Sequence, residues 1–294
     1  MAKGAASGAA AGGRSNSAAA WVKVCALTAL LFALLSFNYA GLTTSASVTG
    51  KPLQLALVAL ADTLVLGYFV ALSRWNGWKE WGACFSVFYG VNYVLTAMEA
   101  VYIPSVLPAD TIAALLVDGA VVSGVFAAAL VLLLSERGAQ TRAAAGRLAM
   151  PASEWAWKVV CSGLSYLALF FLFGVAVYDP IAYMLAPAAL AAEQGAIPPS
   201  AAALVLTTEM VRGMLWTLLA VPAVLALPFG WRKTGAMLGL LFAIPVSGSI
   251  FLSTAIAPGL IPAHLAEVLA ENLTFGVLVA WVLQLRARLP LSSR

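Results

Sequence analysis

Charge is scarce in this chain. Asp, Glu, Lys and Arg make up 10% of its 294 residues, while 63% are hydrophobic. Soluble domains carry about 25% charged residues. That shortage, with a mean hydropathy of +0.96, excludes a water-soluble globular fold and indicates a polytopic protein embedded in a lipid bilayer. Histidine is scarcer still, with His264 alone. One imidazole cannot serve a bis-histidine haem or a histidine-box hydroxylase or desaturase. Cysteine is limited to Cys25, Cys84 and Cys161 with no CxxC spacing, which suits small buried side chains better than a redox centre. No Walker phosphate loop or GxSxG elbow is present, so neither nucleotide-driven nor hydrolase chemistry is indicated. The pI near 9.1 does not point to nucleic acid, because the basic residues sit in short loops between apolar runs.

What is abundant is apolar sequence in lengths of about 20 residues, the length a helix needs to cross a bilayer. Eight such runs fall near 21–40, 53–75, 81–103, 111–135, 155–178, 202–229, 234–257 and 262–285. Backbone groups find no water in lipid, so these runs must be helices and the fold class is all-α. Residues 1–20, rich in Ala, Gly and Ser, read as a disordered tail. The first run resembles a signal peptide in its flanks, but its echo near Trp157 argues for a retained span.

Two heptapeptides suggest internal duplication. GWKEWGA at 77–83 and GWRKTGA at 230–236 share their glycines, tryptophan and alanine at an offset of 153. The same offset places Asp118 on Glu271 and Asn92 on Pro245. An offset of 136 matches Trp21, Val24 and Cys25 with Trp157, Val160 and Cys161. Fixed offsets of this kind are the mark of a repeat. The expected organisation is a tail (1–20), a four-helix repeat (21–135), a linker (136–153), a second four-helix repeat (154–285) and a basic tail (286–294). Each half has an even number of spans, so the two are parallel repeats about an axis along the membrane normal. The loop at 179–200 is expected to carry a short interfacial helix.

Basic residues set orientation. Lys3, Arg14, Lys23, Arg74, Lys79, Arg137, Arg142, Arg147, Lys158, Arg232, Lys233, Arg286, Arg288 and Arg294 all fall on one side of an eight-span arrangement. Of the 16 basic residues only Lys51 and Arg212 fall elsewhere. By the positive-inside rule both termini are cytoplasmic, in an inner (cytoplasmic) membrane.

Ionisable residues inside the runs are the functional candidates: Asp62, Glu99, Asp118, Glu209, Arg212, Glu267 and Glu271, with His264 at an edge. Counting helical rise puts them roughly 6–14 Å from the outer edge. Charges in hydrocarbon cost a few kcal/mol or more, so they should face the bundle interior or water. The expectation is an outward-facing acidic chamber built from Asp62, Glu99, Asp118, Glu209, Arg212 and Glu271. The plainer expectation for Glu209 and Arg212, at i and i+3, is that they pair with each other. His264, Glu267 and Glu271 share one helical face, a ligand set of the type a divalent metal takes, although not in an HExxH spacing. Pro222 and Pro245 interrupt their spans, and Gly119, Ser123, Gly124 and Gly276 suit close helix contacts.

Three readings of function follow. The first is proton- or cation-linked translocation of a small solute or ion. The second is a non-catalytic subunit or assembly factor with a membrane-protein partner. The third is an outward-facing enzyme using carboxylates or a metal.

Overall fold

The structure is a computed structural model in which residues 6–42, 51–102, 111–135, 148, 150–196, 202–253 and 256–285 are described. Side chains of 6–17, 38–42, 99–102 and 195–196 fall outside that set, as do the expected tails' remaining residues and most of the linker. Every described element is helical. In order they are α1 (Ala6–Leu42), α2 (Pro52–Leu72), α3 (Gly77–Tyr89), a π-turn π1 (Gly90–Val94), α4 (Leu95–Tyr102) and α5 (Ile112–Leu134). Then come α6 (Ala152–Phe173), a second π-turn π2 (Gly174–Tyr178), α7 (Asp179–Leu185), α8 (Pro187–Ala196), α9 (Ala202–Ala226), α10 (Trp231–Leu252) and α11 (Ile261–Gln284).

Seven of these helical stretches are long and apolar enough to cross a membrane: Ala18–Phe37 within α1, α2, α5, the continuous Ala152–Leu185, α9, α10 and α11. The expected third run, 81–103, is not among the seven. Its helix passes through π1 and carries polar Asn92 and two tyrosines there. Residues 6–20, expected to be irregular, are helical in α1; their alanines are the strongest helix formers and outweigh the glycines. Large apolar side chains such as Phe37, Leu53, Val117 and Leu132 point outward, an arrangement that lipid accommodates and water penalises.

Packing follows a definite pattern. Helix α1 lies against α2 and α5, and α3 lies against α5. Helix α6 lies against α9 and α11, and α10 pairs with α11 in the most extensive contact of the bundle. Between these groups, α2 touches α10, while α3 and α4 touch α9. Glycine makes the α10–α11 pair possible. A Cβ on Gly276 would meet the backbone of Gly239, and one on Gly235 would stand 2.7 Å from Val277 Cα. Next to that seam Trp216, Phe242, Phe275 and Tyr166 form an aromatic core, with Trp216 edge-on to Phe242 at 4.4 Å and Tyr166 to Phe275 at 4.8 Å.

Polar ties close the ends of the bundle. Buried Lys158 pairs with Glu154 at 2.8 Å and donates to the Leu283 and Leu285 carbonyls at 3.2 and 2.6 Å. It thereby satisfies carbonyls that the end of α11 leaves without helical donors. At the same end Arg74 Nε donates to Leu225 O at 2.9 Å. At the opposite end Lys51 Nζ donates to Ser253 O at 3.2 Å.

Candidate functional site

The loop expected at 179–200 folds into two short helices, α7 and α8, which pack on the start of α11. Tyr178, Ala182, Leu190, Leu260 and Ala263 form a small apolar core there, separate from the main one. Docking brings Glu193 of α8 to His264 of α11, with Nε2 to Oε1 at 3.4 Å. The Tyr178 hydroxyl donates to the same Glu193 carboxylate, and the Tyr178 and His264 rings lie 4.3 Å apart. The hydrogen bond from His264 holds the Glu193 carboxyl below the ordinary carboxylate range; partial burial opposes this and the bond from Tyr178 reinforces it.

From His264 the ionisable groups continue inward along one face of α11. His264 Nδ1 lies 3.4 Å from Glu267 Oε2. The Glu267 carboxylate packs beside Gly174 at the start of π2, where a Cβ would stand in ordinary contact with Oε1, 3.5 Å away. A π-turn widens the helix by one residue and is often found where a side chain must be re-aimed. One turn further in, Glu271 is buried beside Tyr166 and lies within electrostatic reach of Arg212, Glu267 and Glu209, and among the described residues its Oε1 has no hydrogen-bond partner. Arg212 Nη1 stands 3.6 Å from Glu209 Oε2, and its guanidinium lies 5.9 Å from the centroid of the Tyr166 ring. Glu209, Arg212 and Glu271 are 0%, 5% and 3% exposed. His264 to Glu271 covers roughly 10 Å of helix axis at 1.5 Å per residue. The result is a continuous line of ionisable groups, from half-exposed Glu193 to fully buried Glu209.

The other expected site residues lie elsewhere. Asp62, on α2, is buried, and among the described residues its Oδ1 has no hydrogen-bond partner. Asp118 is half-buried on α5. Glu99 belongs to α4, but its side chain is outside the described set. The Glu209–Arg212 pairing is present, and it forms part of the larger network.

One expectation needs correction. His264, Glu267 and Glu271 do not converge on a metal position: among the described residues no group of three His, Cys, Asp or Glu side chains could hold an ion. The reason is geometric, since the two imidazole nitrogens face opposite ways toward Glu193 and Glu267. A cleft of about 460 Å³ at the α8 end is lined by Lys51, Gln54, Ser253 and neighbouring apolar residues, with no carboxylate among them.

Glu193, Tyr178 and Tyr166 were not singled out from the sequence. Glu193 lies in a polar connection where acids are ordinary, and the tyrosines read as interfacial or core aromatics. A prolonged run of helix-forming residues at 187–196 was the available signal, because it implied an element able to dock.

These features define an all-helical integral membrane protein with a buried ionisable network. Comparison of the chain with protein-family models, curated proteins and solved structures finds no match.

Proposed function

We propose that the protein is a proton- or cation-linked translocator of a small solute or ion, working through the line Glu193–His264–Glu267–Glu271–Arg212–Glu209. The observation that carries this reading is the line itself. Isolated ionisable groups inside a membrane cost several kcal/mol and are uncommon without a role. Here they succeed one another at short range from an accessible end to a buried one, which suits stepwise proton movement or transient cation neutralisation. Tyr166 and Tyr178 supply hydroxyls at the two places where the line turns from one helix to another.

Within this reading the chain comprises two parallel four-helix repeats, with the stretch 77–102 as an eighth span. Matching helix pairs support the repeats: α1–α2 corresponds to α6–α9, α1–α5 to α6–α11, and α3–α5 to α10–α11. The contacts of α2 with α10 and of α3 with α9 are then one interface seen twice. Under the 153-residue offset, π1 falls on the turn of α10 that contains Pro245, so both third spans carry a break at one level. Basic-residue placement puts both termini in the cytoplasm of an inner membrane, with α8 and Glu193 outside.

The test uses full-length protein in liposomes loaded with a pH-sensitive dye. Imposed pH, sodium or potassium gradients should drive a proton or cation flux that Glu271→Gln abolishes. Equal flux in wild type and Glu271→Gln, or none in wild type under any of these gradients, overturns the proposal.

A further inference from the structure

The second half holds its acids in company; Asp62 in the first half stands alone. It is 2% exposed, and its neighbour Thr63 is 1% exposed. Neither Asp62 Oδ1 nor Thr63 Oγ1 has a hydrogen-bond partner among the described residues. The ionisable groups with described side chains on the surrounding helices are Lys23 and Cys25 on α1, Lys79, Glu80, Cys84 and Tyr89 on α3, Asp118 on α5, and Arg232 and Lys233 on α10. None of them forms an ion pair with Asp62 among the described residues.

What Asp62 faces follows from register. Helices α2 and α10 run antiparallel, with Lys51 bonded to the Ser253 carbonyl and Val58 packed on Gly248, 2.7 Å from the place of its missing Cβ. Asp62 lies one turn beyond Val58 on the same face of α2. One turn back from Gly248 on α10 is Ile244, next to Pro245. Proline has no amide hydrogen, so the carbonyl of Leu241 loses its usual helical donor. By register the seam at this level therefore offers a carboxyl group, a neighbouring hydroxyl and a carbonyl acceptor, with no cation paired to Asp62 among the described residues. An ionised carboxylate would have nothing to balance its charge there, whereas a carboxylic acid could donate its O–H.

We propose that Asp62 is a second proton-binding site, separate from the Glu193–Glu209 line and located at the α2–α10 seam. The step is simple: a carboxylate oxygen takes a proton from hydronium, one O–H bond forms on the carboxyl as one O–H bond of hydronium breaks, water is released, and the seam holds a neutral acid. This site does not depend on the translocation reading.

Infrared spectroscopy of the full-length protein in lipid nanodiscs tests it. At neutral pH the wild type should show a protonated-carboxyl C=O band that shifts when aspartate is labelled with carbon-13. Asp62→Asn should lose that band, and Glu271→Gln and Asp118→Asn should keep it. No aspartate-derived band in the wild type, or a band unchanged in Asp62→Asn, overturns the site. Should Asp62→Asn fail to fold, the labelled wild type and Asp118→Asn still decide, because loss of the whole band in Asp118→Asn would reassign it. A protein with the Asp62 band but no gradient-driven flux would refute translocation and leave this site intact.

Discussion

Under the proposed repeats, the two halves of the bundle pair their helices in the same order but carry their polar groups differently. In the α6–α11 half, four acids, one arginine and the histidine form one connected line. In the α1–α5 half, Asp62 is buried by itself and Asp118 is half-buried on α5. Asp118 and Glu271 share a register in the sequence, yet Glu271 has Tyr166 and Arg212 beside it, whereas Asp118 is half-buried next to Gly119, and it is Gly119 that packs on the ring of Tyr93. Similar helix packing thus leaves open where charge is placed. The partner residues on the facing helices decide whether a buried carboxylate becomes part of a network.

The sharpest way to break this contrast is to remove the cation from the second half. Arg212→Met should destabilise the protein by about 3–5 kcal/mol, the range for stranding a buried charge partner, read as a fall in the detergent unfolding midpoint. Lys51→Met, at the bundle edge of the first half, should cost about 1 kcal/mol or less by loss of one hydrogen bond. Comparable losses would mean that the network does not hold the second half together.

Close packing offers a second comparison. Gly276→Ala places a Cβ against the Gly239 backbone and should cost about 1–3 kcal/mol through overpacking. Gly124→Ala, in the first half, meets nothing within 4 Å and should be neutral or slightly stabilising by helix propensity. Unfolding midpoints measured side by side would show whether the α10–α11 seam is as tight as its geometry.

Function gives a third. If the second half carries the moving charge, Glu271→Gln should abolish gradient-driven flux in liposomes while Asp118→Asn, its register partner, retains most of it. Equal losses would restore the symmetric, two-sided site expected from the sequence.

The smallest effect concerns Glu193. Its carboxyl is held below the ordinary carboxylate range by its bond from His264. Its contribution to docking α8 is therefore fully present above the unfolded value and is lost as pH falls through the lower folded one. Hydrogen exchange in α8 should rise modestly on acidification below about pH 4.5, and Glu193→Gln should flatten the response. The change should be small, because the Glu193 side chain is 40% exposed and exposed ion pairs contribute little.

Much of the helical framework was legible in the sequence because lipid enforces it. The runs at 53–75, 111–135, 202–229 and 262–285 correspond to α2, α5, α9 and α11 within a few residues. The ionisable candidates of the second half were legible for the same reason, since charge within an apolar run is conspicuous. Their grouping was not legible. It depends on which faces of α6, α9 and α11 meet, and on α8 folding back to bring Glu193 to His264. The metal set failed for a related reason: one helical face fixes spacing along α11 but not which way each imidazole nitrogen points. The π-turns at 90–94 and 174–178 also had no local signature beyond a leading glycine.

Lys158 has a consequence for biosynthesis. It lies near the start of α6, but the Leu283 carbonyl it serves is made 125 residues later. Until that stretch emerges from the ribosome, this ammonium must be sheltered by Glu154 and water alone. The second half therefore locks only when α11 slides into position, which makes its assembly a late event that a nascent chain halted before Leu283 would fail to complete.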